Sequence, residues 1–201
     1  MKNFVLSIAL AALATGPAGP ARAVEKFNYE PVPVPWHQSA VGAVGLSGDG
    51  KVAVSAGYDG NIFVWETESG KLLSRSKMPA GNEFMQLAVS PNGEMAALAG
   101  PDKAVRLFGT RPFRPVSSQT ALEAVPSDLA FSADGRHLAV AWGRTVTVLP
   151  SGPGAEEAGP FELDEPVGCL AWLPNGNLVV GKGGEFGSVV VLDQKGATVK
   201  E

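Results

Sequence analysis

The chain has little sulfur and little histidine, which excludes several kinds of site. Cys169 is the only cysteine among 201 residues, so no intramolecular disulfide can form, and stability must come from packing. Cys169 lies in an apolar run, and we expect it to be a buried, inert thiol. With two histidines and no Cys-x-x-Cys, Cys-x-x-Cys-His or His-x-x-x-His motif, the sequence offers no ligand set for zinc or covalent haem. We therefore predict no metal and no cofactor.

Motifs for nucleophilic or phosphate chemistry are also missing. No Gly-x-Ser-x-Gly elbow of a serine hydrolase occurs. The segment 181–187 is rich in glycine, but it lacks the Gly-Lys-Ser/Thr ending of a phosphate loop and no helix is expected after it. We interpret this segment as a hairpin and predict no catalytic residue.

Charge is sparse and slightly negative. Charged residues make up 18% of the chain and the formal net charge is −4. The basic residues are scattered, so the chain lacks the electrostatic footprint of a nucleic-acid-binding protein. A hydrophobic content of 45% argues against disorder. These values fit one folded domain with a core of its own.

Long hydrophobic runs are absent except near the start of the chain. Phe4–Ala14 is apolar, but its eleven residues fall short of the roughly 20 that cross a bilayer. Lys2 precedes this run, and the small residues Ala21 and Ala23 follow it. We predict a cleavable secretory signal over residues 1–23, with cleavage after Ala23, a periplasmic or secreted product and no stable membrane anchor. An uncleaved anchor or a chance apolar start is the alternative.

A repeated turn organises the remainder of the sequence. Four turns share the pattern Ser/Leu-x-Asp/Asn-Gly and occur at 47–50, 90–93, 132–135 and 173–176. Their closing glycines stand 43, 42 and 41 residues apart. A fixed period of this length marks a stack of supersecondary units, none of which can bury its apolar faces alone.

Each unit reads as four short strands. In the first unit they are predicted at 41–46, 51–56, 61–65 and 71–75, with the hairpin turn Asp59-Gly60 between the second and third. The other predicted strands are 84–89, 94–99, 104–108 and 115–120; 128–131, 137–141, 145–149 and about 161–163; and 167–172, 177–180, 188–192 and 197–200. No window has a helical period. Four strands per unit at this spacing indicate an all-β fold of β-propeller blades.

The first unit resembles a WD40 repeat. His37 is followed by Gly50 thirteen residues later, and then by Asp59-Gly60-x-Ile62-x-Val64-Trp65. The resemblance implies a buried hydrogen-bonded set of four side chains: His37, Ser55, Asp59 and Trp65. Such a set is physically reasonable, because a buried carboxylate, imidazole or indole N–H is costly without a partner.

The later units keep the strand rhythm and lose this set. In the second unit Asp102 falls where Asp59 does, but Ala80, Leu98 and Phe108 replace the other three residues. The resemblance covers residues 37–201, with WD40-like blades at about 37–80, 81–122, 123–164 and 165–201. Repeats of the TolB or quinoprotein type stay open for the later blades. Residues 24–36 are expected to be an extended N-terminal segment, because prolines recur from Pro31 to Pro35.

Four blades raise the question of closure. WD40 propellers usually close with seven or eight blades, so four could form a small propeller or a half-ring. A half-ring could be completed by a second copy or by another protein, or the chain could be a truncated product. Completion is the expectation that we favour.

The resemblance implies a protein–protein interaction scaffold without catalytic activity. Its partners would be other proteins, and a candidate interaction face is predicted at the hairpins that carry Tyr58, Trp142, Glu185 and Phe186. The alternative is a subunit or fragment of a periplasmic propeller enzyme or redox system, of the quinoprotein-like, lactonase-like or cytochrome-associated kind.

Overall fold

A computed structural model of the chain describes residues 37–78, 84–116, 120–184 and 187–200. Within these ranges the chain forms strands and no helix, which confirms the all-β prediction. The described part therefore contains no helix of the length and hydropathy that crossing a bilayer requires. The predicted segments 1–23 and 24–36, together with Ala80, Glu185 and Phe186, lie outside the described residues and stay predictions.

The described strands form four antiparallel sheets, in which consecutive strands of the chain pair with one another except at the outer edge of the second sheet. The first sheet consists of β1 (Val41–Leu46), β2 (Val52–Gly57), β3 (Asn61–Glu66) and β4 (Leu72–Lys77). The second consists of β5 (Gln86–Val89), β6 (Met95–Ala99), β7 (Ala104–Thr110), β8 (Phe113–Pro115) and β9 (Thr120–Ala121). The third consists of β10 (Pro126–Phe131), β11 (His137–Trp142), β12 (Thr145–Pro150) and β13 (Ala158–Glu162). The fourth consists of β14 (Val167–Trp172), β15 (Leu178–Lys182), β16 (Ser188–Leu192) and β17 (Thr198–Lys200). The four-stranded units of the prediction are confirmed.

The outer edge of the second sheet differs from the prediction of one strand over 115–120. Instead, β8 pairs with the end of β7, and β9 pairs with its beginning. Pro115, the last residue of β8, has no backbone N–H to donate to the ladder. The assigned strand ends there, although the N–H of Val116 still donates to the carbonyl of Leu107 at 2.9 Å, and pairing is next described at Thr120.

The repeated turns are held by a serine hydroxyl. In the first turn Ser47 Oγ donates to Asp49 Oδ1 at 2.6 Å and accepts the backbone N–H of Val52 at 3.0 Å. Ser90 and Ser132 make the same two bonds in the second and third turns. The hydroxyl of Ser47 is the main reason that the pKa of Asp49 lies below its usual value. The pattern thus encodes a turn that satisfies its own polar groups.

The fourth turn is one residue shorter and lacks this hydroxyl. The N–H of Leu173 bonds to the carbonyl of Asn177 at 2.8 Å, four residues on, whereas Ser47 bonds to Val52, five residues on. Asn175 Oδ1 still accepts the N–H of Asn177 at 3.1 Å. The spacing of the closing glycines is kept, although the local hydrogen bonding has changed.

The sheets stack face to face, and the core lies between them. The strands that begin the sheets, β1, β5, β10 and β14, lie side by side in that order. One cluster of buried residues fills the space between the first and second sheets, around Val54, Ile62 and Phe108. Two equivalent clusters lie between the second and third sheets and between the third and fourth sheets.

In the part of the chain that the structure describes, the stack does not close on itself, since β14 and β1 do not lie side by side. Each end of the stack therefore presents one sheet face that no other described sheet covers. The strand registers define the fourth-sheet outer face as Cys169, Ala171, Val179, Gly181, Val189 and Val191. They define the first-sheet outer face as Val44, Leu46, Ala53, Ser55, Phe63 and Trp65.

The prediction of a buried Cys169 is wrong, because its side chain is exposed. Alternation along β14 turns Leu170 toward the third sheet, where it is 9% exposed. Cys169 consequently faces the opposite side, on the fourth-sheet outer face. An apolar strand was correctly recognised, but the sequence did not reveal that no described sheet packs on one of its faces.

Candidate functional site

Four polar side chains of the first unit meet on the first-sheet outer face and around its central hairpin. Ser55 lies in β2 and Trp65 in β3, and strand pairing places both on the face opposite the core. Asp59 lies in the turn between these strands, where Gly60 adopts a φ of +73°. His37 precedes β1 and reaches both Ser55 and Asp59.

The contacts among these residues form one continuous chain. The indole Nε1 of Trp65 donates to Ser55 Oγ at 3.2 Å. Ser55 Oγ lies 2.9 Å from Nε2 of His37, and Nδ1 of His37 lies 3.1 Å from Oδ1 of Asp59. The structure thus brings together all four residues that the WD40 resemblance implied.

The donors and acceptors fix the direction of every proton in a network with a neutral imidazole. An ionised carboxylate only accepts, so His37 Nδ1 carries the proton that Asp59 receives. An indole only donates, so Ser55 Oγ accepts from Trp65 and directs its own O–H to His37 Nε2. Each member is then satisfied without a net charge on the ring. A connected network of this kind holds the hairpin against the segment that precedes β1.

Asp59 is the electrostatic centre of the network. Burial alone would raise the pKa of Asp59, but hydrogen bonds from Asn61, the backbone N–H of Gln38 and His37 outweigh it. The pKa is therefore held well below its usual value. The shortest of these bonds runs from the N–H of Gln38 to Oδ2 at 2.6 Å. Asp59 thus stays ionised although its side chain is only 8% exposed.

Aromatic rings cover the network. The His37 ring meets Phe63 edge to face with centroids 4.6 Å apart, and Phe63 lies 5.4 Å from the ring of Trp65. Arg75 stacks over Phe63 at 5.5 Å and donates to Asn61 Oδ1 at 3.1 Å. Phe63 is consequently 1% exposed, although it belongs to an outer face. The first sheet therefore partly seals its own open side.

Ser55, His37 and Asp59 have the connectivity of a nucleophilic triad, and this arrangement requires a chemical test. Two features oppose nucleophilic attack by Ser55. Its side chain is buried, with the residue 9% exposed, and its Oγ already accepts the indole N–H of Trp65. A donor to Oγ withdraws electron density from the nucleophile and occupies the direction of approach. We interpret the four residues as a structural lock.

The second unit replaces this lock with apolar packing and one ion pair. Leu98 and Phe108, at the positions of Ser55 and Trp65, belong to the core between the first and second sheets. Asp102, at the position of Asp59, pairs with the guanidinium of Arg106. The carboxylate at the hairpin is thus retained, while its imidazole partner is not.

Two polar contacts between sheets escaped sequence reasoning. Asp128 Oδ2 in β10 accepts the backbone N–H of Leu170 in β14 at 2.7 Å. Trp172 Nε1 donates to the carbonyl of Ala130 at 2.9 Å. Both bonds cross from the third to the fourth sheet. An aspartate within an apolar strand was the available signal, because such a carboxylate requires a partner.

A buried lysine was also missed. Lys182 ends β15 with a side chain that is 4% exposed, and its Nζ lies 2.9 Å from Asp164 Oδ1. The hydrogen bond from Lys182 is the main reason that the pKa of Asp164 lies below its usual value. Lys182 was predicted to lie in a glycine-rich hairpin at 181–187, whereas β15 continues to Lys182. The pair ties the connection between β13 and β14 to the second strand of the fourth sheet.

The structure describes two of the four residues of the predicted interaction face. Tyr58 is 44% exposed at its hairpin. Trp142 is partly buried and packs against the core between the second and third sheets. Glu185 and Phe186 lie outside the described residues. Of the described pair, Tyr58 is therefore the residue available to a partner, while Trp142 contributes to packing.

A cleft of about 520 Å³ opens near the repeated turns of the third and fourth units. The rings of His137 and Trp172, whose centroids are 6.4 Å apart, line it together with the carboxylates of Asp134 and Asp193. Within the described residues, no group of three or more His, Cys, Asp or Glu side chains is arranged to hold a metal ion. The cleft is an acidic groove with an aromatic wall.

Comparison with known proteins connects this geometry to a family. Residues 31–66 match the family described as WD domain, G-beta repeat, and this segment contains all four residues of the lock. The chain is also 30% identical over 98 residues to the ribosome biogenesis protein YTM1 of Laccaria bicolor. That alignment covers 47% of this chain and 22% of the relative, so the chain spans less than a quarter of the relative's length. The family match therefore covers one repeat, in the first sheet, and the four antiparallel sheets, three of four strands and one of five, are consistent with blades of this kind.

Proposed function

We propose that this chain is a non-catalytic scaffold that binds other proteins through the uncovered faces at the ends of its sheet stack. The observation that carries the proposal is the composition of the fourth-sheet outer face. Its six residues on β14–β16 are uncharged and small or apolar, with Val189 57% exposed, and Lys200 of β17, which pairs with Val191, adds a charge only at the edge of the sheet. Exposed apolar surfaces of this kind mark sites of protein association.

Comparison with the other three sheets shows that residues equivalent to those of this face are normally buried. Ile62, Val105 and Val146 occupy the position of Val189 in the first three sheets, and they are 0%, 2% and 0% exposed. Their burial follows from the sheet that packs on each of them. The outer face of the fourth sheet has the same apolar composition, so we expect another protein surface to pack on it.

The non-catalytic part of the proposal rests on the lock in the first unit. A fluorophosphonate probe labels serines that a neighbouring imidazole activates. We expect no labelling of Ser55, because it is buried and already accepts the indole N–H of Trp65. Labelling that disappears in Ser55→Ala would show an active nucleophile and would contradict the scaffold role.

Charge favours proteins over nucleic acids as partners. The formal net charge is −4, and a nucleic-acid surface would require clustered basic residues. The relative in Laccaria bicolor is named as a ribosome biogenesis protein, and that name describes a role in an assembly process. We propose protein partners for this chain and no contact with RNA.

We also propose export of the chain to the periplasm or the exterior. The support is the sequence pattern of Lys2, the apolar run Phe4–Ala14 and the small residues at 21 and 23. In a bacterial secretion host, the product is expected outside the cytoplasm with Val24 as its first residue. Mass spectrometry of the intact product checks the cleavage, and a cytoplasmic product that retains Met1 would refute export.

Site-specific photo-crosslinking tests the scaffold role. A photoreactive amino acid at position 189 should capture a defined protein from the native cells, identified by mass spectrometry of the cross-linked peptides. The matched control is position 116, where Val116 is 53% exposed but follows β8 of the second sheet and belongs to neither outer face. Equal capture at both positions, or none at 189, would argue against binding through the fourth-sheet outer face.

A further inference from the structure

We propose that the fourth-sheet outer face binds the first-sheet outer face of a second copy of this chain, so that two copies close into a ring of eight sheets. The inference deepens the proposed scaffold role, since it names the partner of one surface. It follows from the way in which successive sheets of a single chain already fit together.

The contact between two successive sheets, here called a joint, follows one pattern of small and large residues in the first strand of each unit. Counted from the repeated turns, Gly45, Ala88 and Ala130 take equivalent positions and face the following sheet. The residues that face the preceding sheet are large: Leu87, Leu129 and Leu170 take equivalent positions, each one residue before the small one. Small residues of one sheet thus receive large residues of the next.

The closeness of the first joint shows why the residues must be small. A Cβ at Gly45 would lie 2.5 Å from Cδ2 of Leu87 and 3.0 Å from Cγ2 of Val89. A side chain there would push the second sheet away. In the third joint Ala130 packs on the cluster that contains Leu170, and its carbonyl accepts the indole N–H of Trp172.

The fourth sheet presents the small residue of such a joint on its outer face, and the first sheet presents the large residue on its outer face. Ala171 takes the position of Gly45, Ala88 and Ala130, but it is exposed. Val44 takes the position of Leu87, Leu129 and Leu170, but it is 43% exposed, whereas Leu129 and Leu170 are 6% and 9% exposed. The two positions that would complete each other, Ala171 and Val44, are therefore both exposed.

The complementarity of the ends identifies the occupant as a second copy. A joint of unlike faces is a heterologous contact, which forms a closed ring when its rotation returns to the start. The four sheets of one chain turn too little to bring β14 beside β1. Propellers have about four to eight blades, so two copies of four sheets reach a closed number, whereas three copies would exceed it.

The native cysteine provides a direct test. Cys169 takes the position of Asp128, whose Oδ2 lies 2.7 Å from the backbone N–H of Leu170. Because Val44 takes the position of Leu170, the proposed joint places Cys169 beside Val44 of the second copy. Val44→Cys should then form two symmetric disulfides under mild oxidation and run as a covalent dimer on a non-reducing gel.

The controls separate this joint from chance oxidation. Val116→Cys introduces an equally exposed thiol on the second sheet and should not raise the yield of dimer above that of the unmodified chain. Val44→Cys combined with Cys169→Ala should lose the cross-link. In light scattering, the unmodified chain should have twice the mass of one copy, and Val189→Lys should reduce it to the mass of one copy while the circular dichroism spectrum stays unchanged.

Three results would overturn the inference. The first is a monomer in which Val44→Cys gives no cross-link. The second is a monomeric Val44→Cys product with both thiols lost, which would mean that the ring closes within one chain. The third is a dimer that Val189→Lys leaves intact. A monomer that still captures another protein through position 189 would overturn self-completion and keep the scaffold role, whereas a monomer without any partner would overturn both.

Discussion

Nδ1 of His37 lies 3.1 Å from Oδ1 of Asp59, across a hairpin that separates the two residues by 22 positions in the chain. The bond joins the segment before the first sheet to the turn between the second and third strands of that sheet. It belongs to a network in which every donor has one acceptor, so the loss of one member leaves buried polar groups without partners. The first sheet should therefore depend on these residues more than the other sheets depend on their counterparts.

Asp59→Asn should lower the free energy of unfolding by about 1–3 kcal/mol, because the amide replaces a charged acceptor with a group that also donates. Depending on its orientation, the amide N–H₂ would face either the backbone N–H of Gln38, which donates to Oδ2, or that of Asn61, which donates to Oδ1. Urea unfolding followed by Trp fluorescence measures the change. Asp102→Asn is the matched control, since its carboxylate is 32% exposed and pairs with Arg106. We expect a loss below about 1 kcal/mol there, and equal losses would contradict a special role for Asp59.

Stability should fall on the acid side, and Asp59 should account for part of that fall. Its folded pKa lies below the unfolded value, so its contribution is fully present above the unfolded pKa of about 3.9 and is lost as the pH falls toward the folded pKa. The urea midpoint of the unmodified chain should therefore decrease from pH 5 downward. Asp59→Asn should show a shallower decrease over the same range. Parallel curves for the two proteins would refute the assignment.

Gly57→Ala should disturb the lock without removing any of its members. A Cβ at Gly57 would lie 2.6 Å from Asp59 Oδ1, and it would also collide with His37 Nδ1. We expect a loss of about 1–3 kcal/mol, the usual range for overpacking. Gly168→Ala serves as the control, because the atom nearest to its Cβ is a carbonyl oxygen at 3.7 Å. A harmless Gly57→Ala would mean that His37 does not occupy this site in solution.

Asp128→Ala should weaken the joint between the third and fourth sheets. It removes the acceptors of the N–H groups of Leu170 and Leu129, which bond at 2.7 and 2.8 Å. The expected loss is about 1–2 kcal/mol, together with faster amide exchange at Leu170. Asp128→Asn keeps one acceptor oxygen, so its free energy of unfolding should lie between those of the unmodified chain and Asp128→Ala. An unchanged exchange rate at Leu170 in Asp128→Ala would contradict the role of this bond.

The features that the sequence predicted well are those encoded within a few residues. The turn at 47–50 combines a positive-φ glycine with a hydroxyl and a carboxylate that satisfy the local backbone. Strand alternation is encoded in the segments beside each turn, so the amino-acid pattern by itself was enough to place the four-stranded units. The lock could be named because His37, Ser55, Asp59 and Trp65 all belong to one unit.

The features that the sequence did not reveal depend on neighbours that are distant in the chain. The exposure of Cys169 follows from its place on a face that no described sheet covers, and an apolar strand has the same sequence pattern whether or not its second face is covered. The bond from Leu170 to Asp128 joins residues 42 positions apart. Lys182 was hidden among glycines that are typical of a loop. In each instance, packing between units decided the environment.

The self-contained lock of the first sheet has a consequence for the order of folding. Every sheet is built from consecutive strands, so its pairings form over short loops and each unit can acquire its hairpins while later residues are still being synthesised. Until the next unit arrives, however, a newly formed sheet has two apolar faces in water. The first sheet covers one of them itself, with Arg75 over Phe63 and His37 against the same ring. The second sheet can therefore pack on the first, and the third and fourth sheets can follow in the order of synthesis.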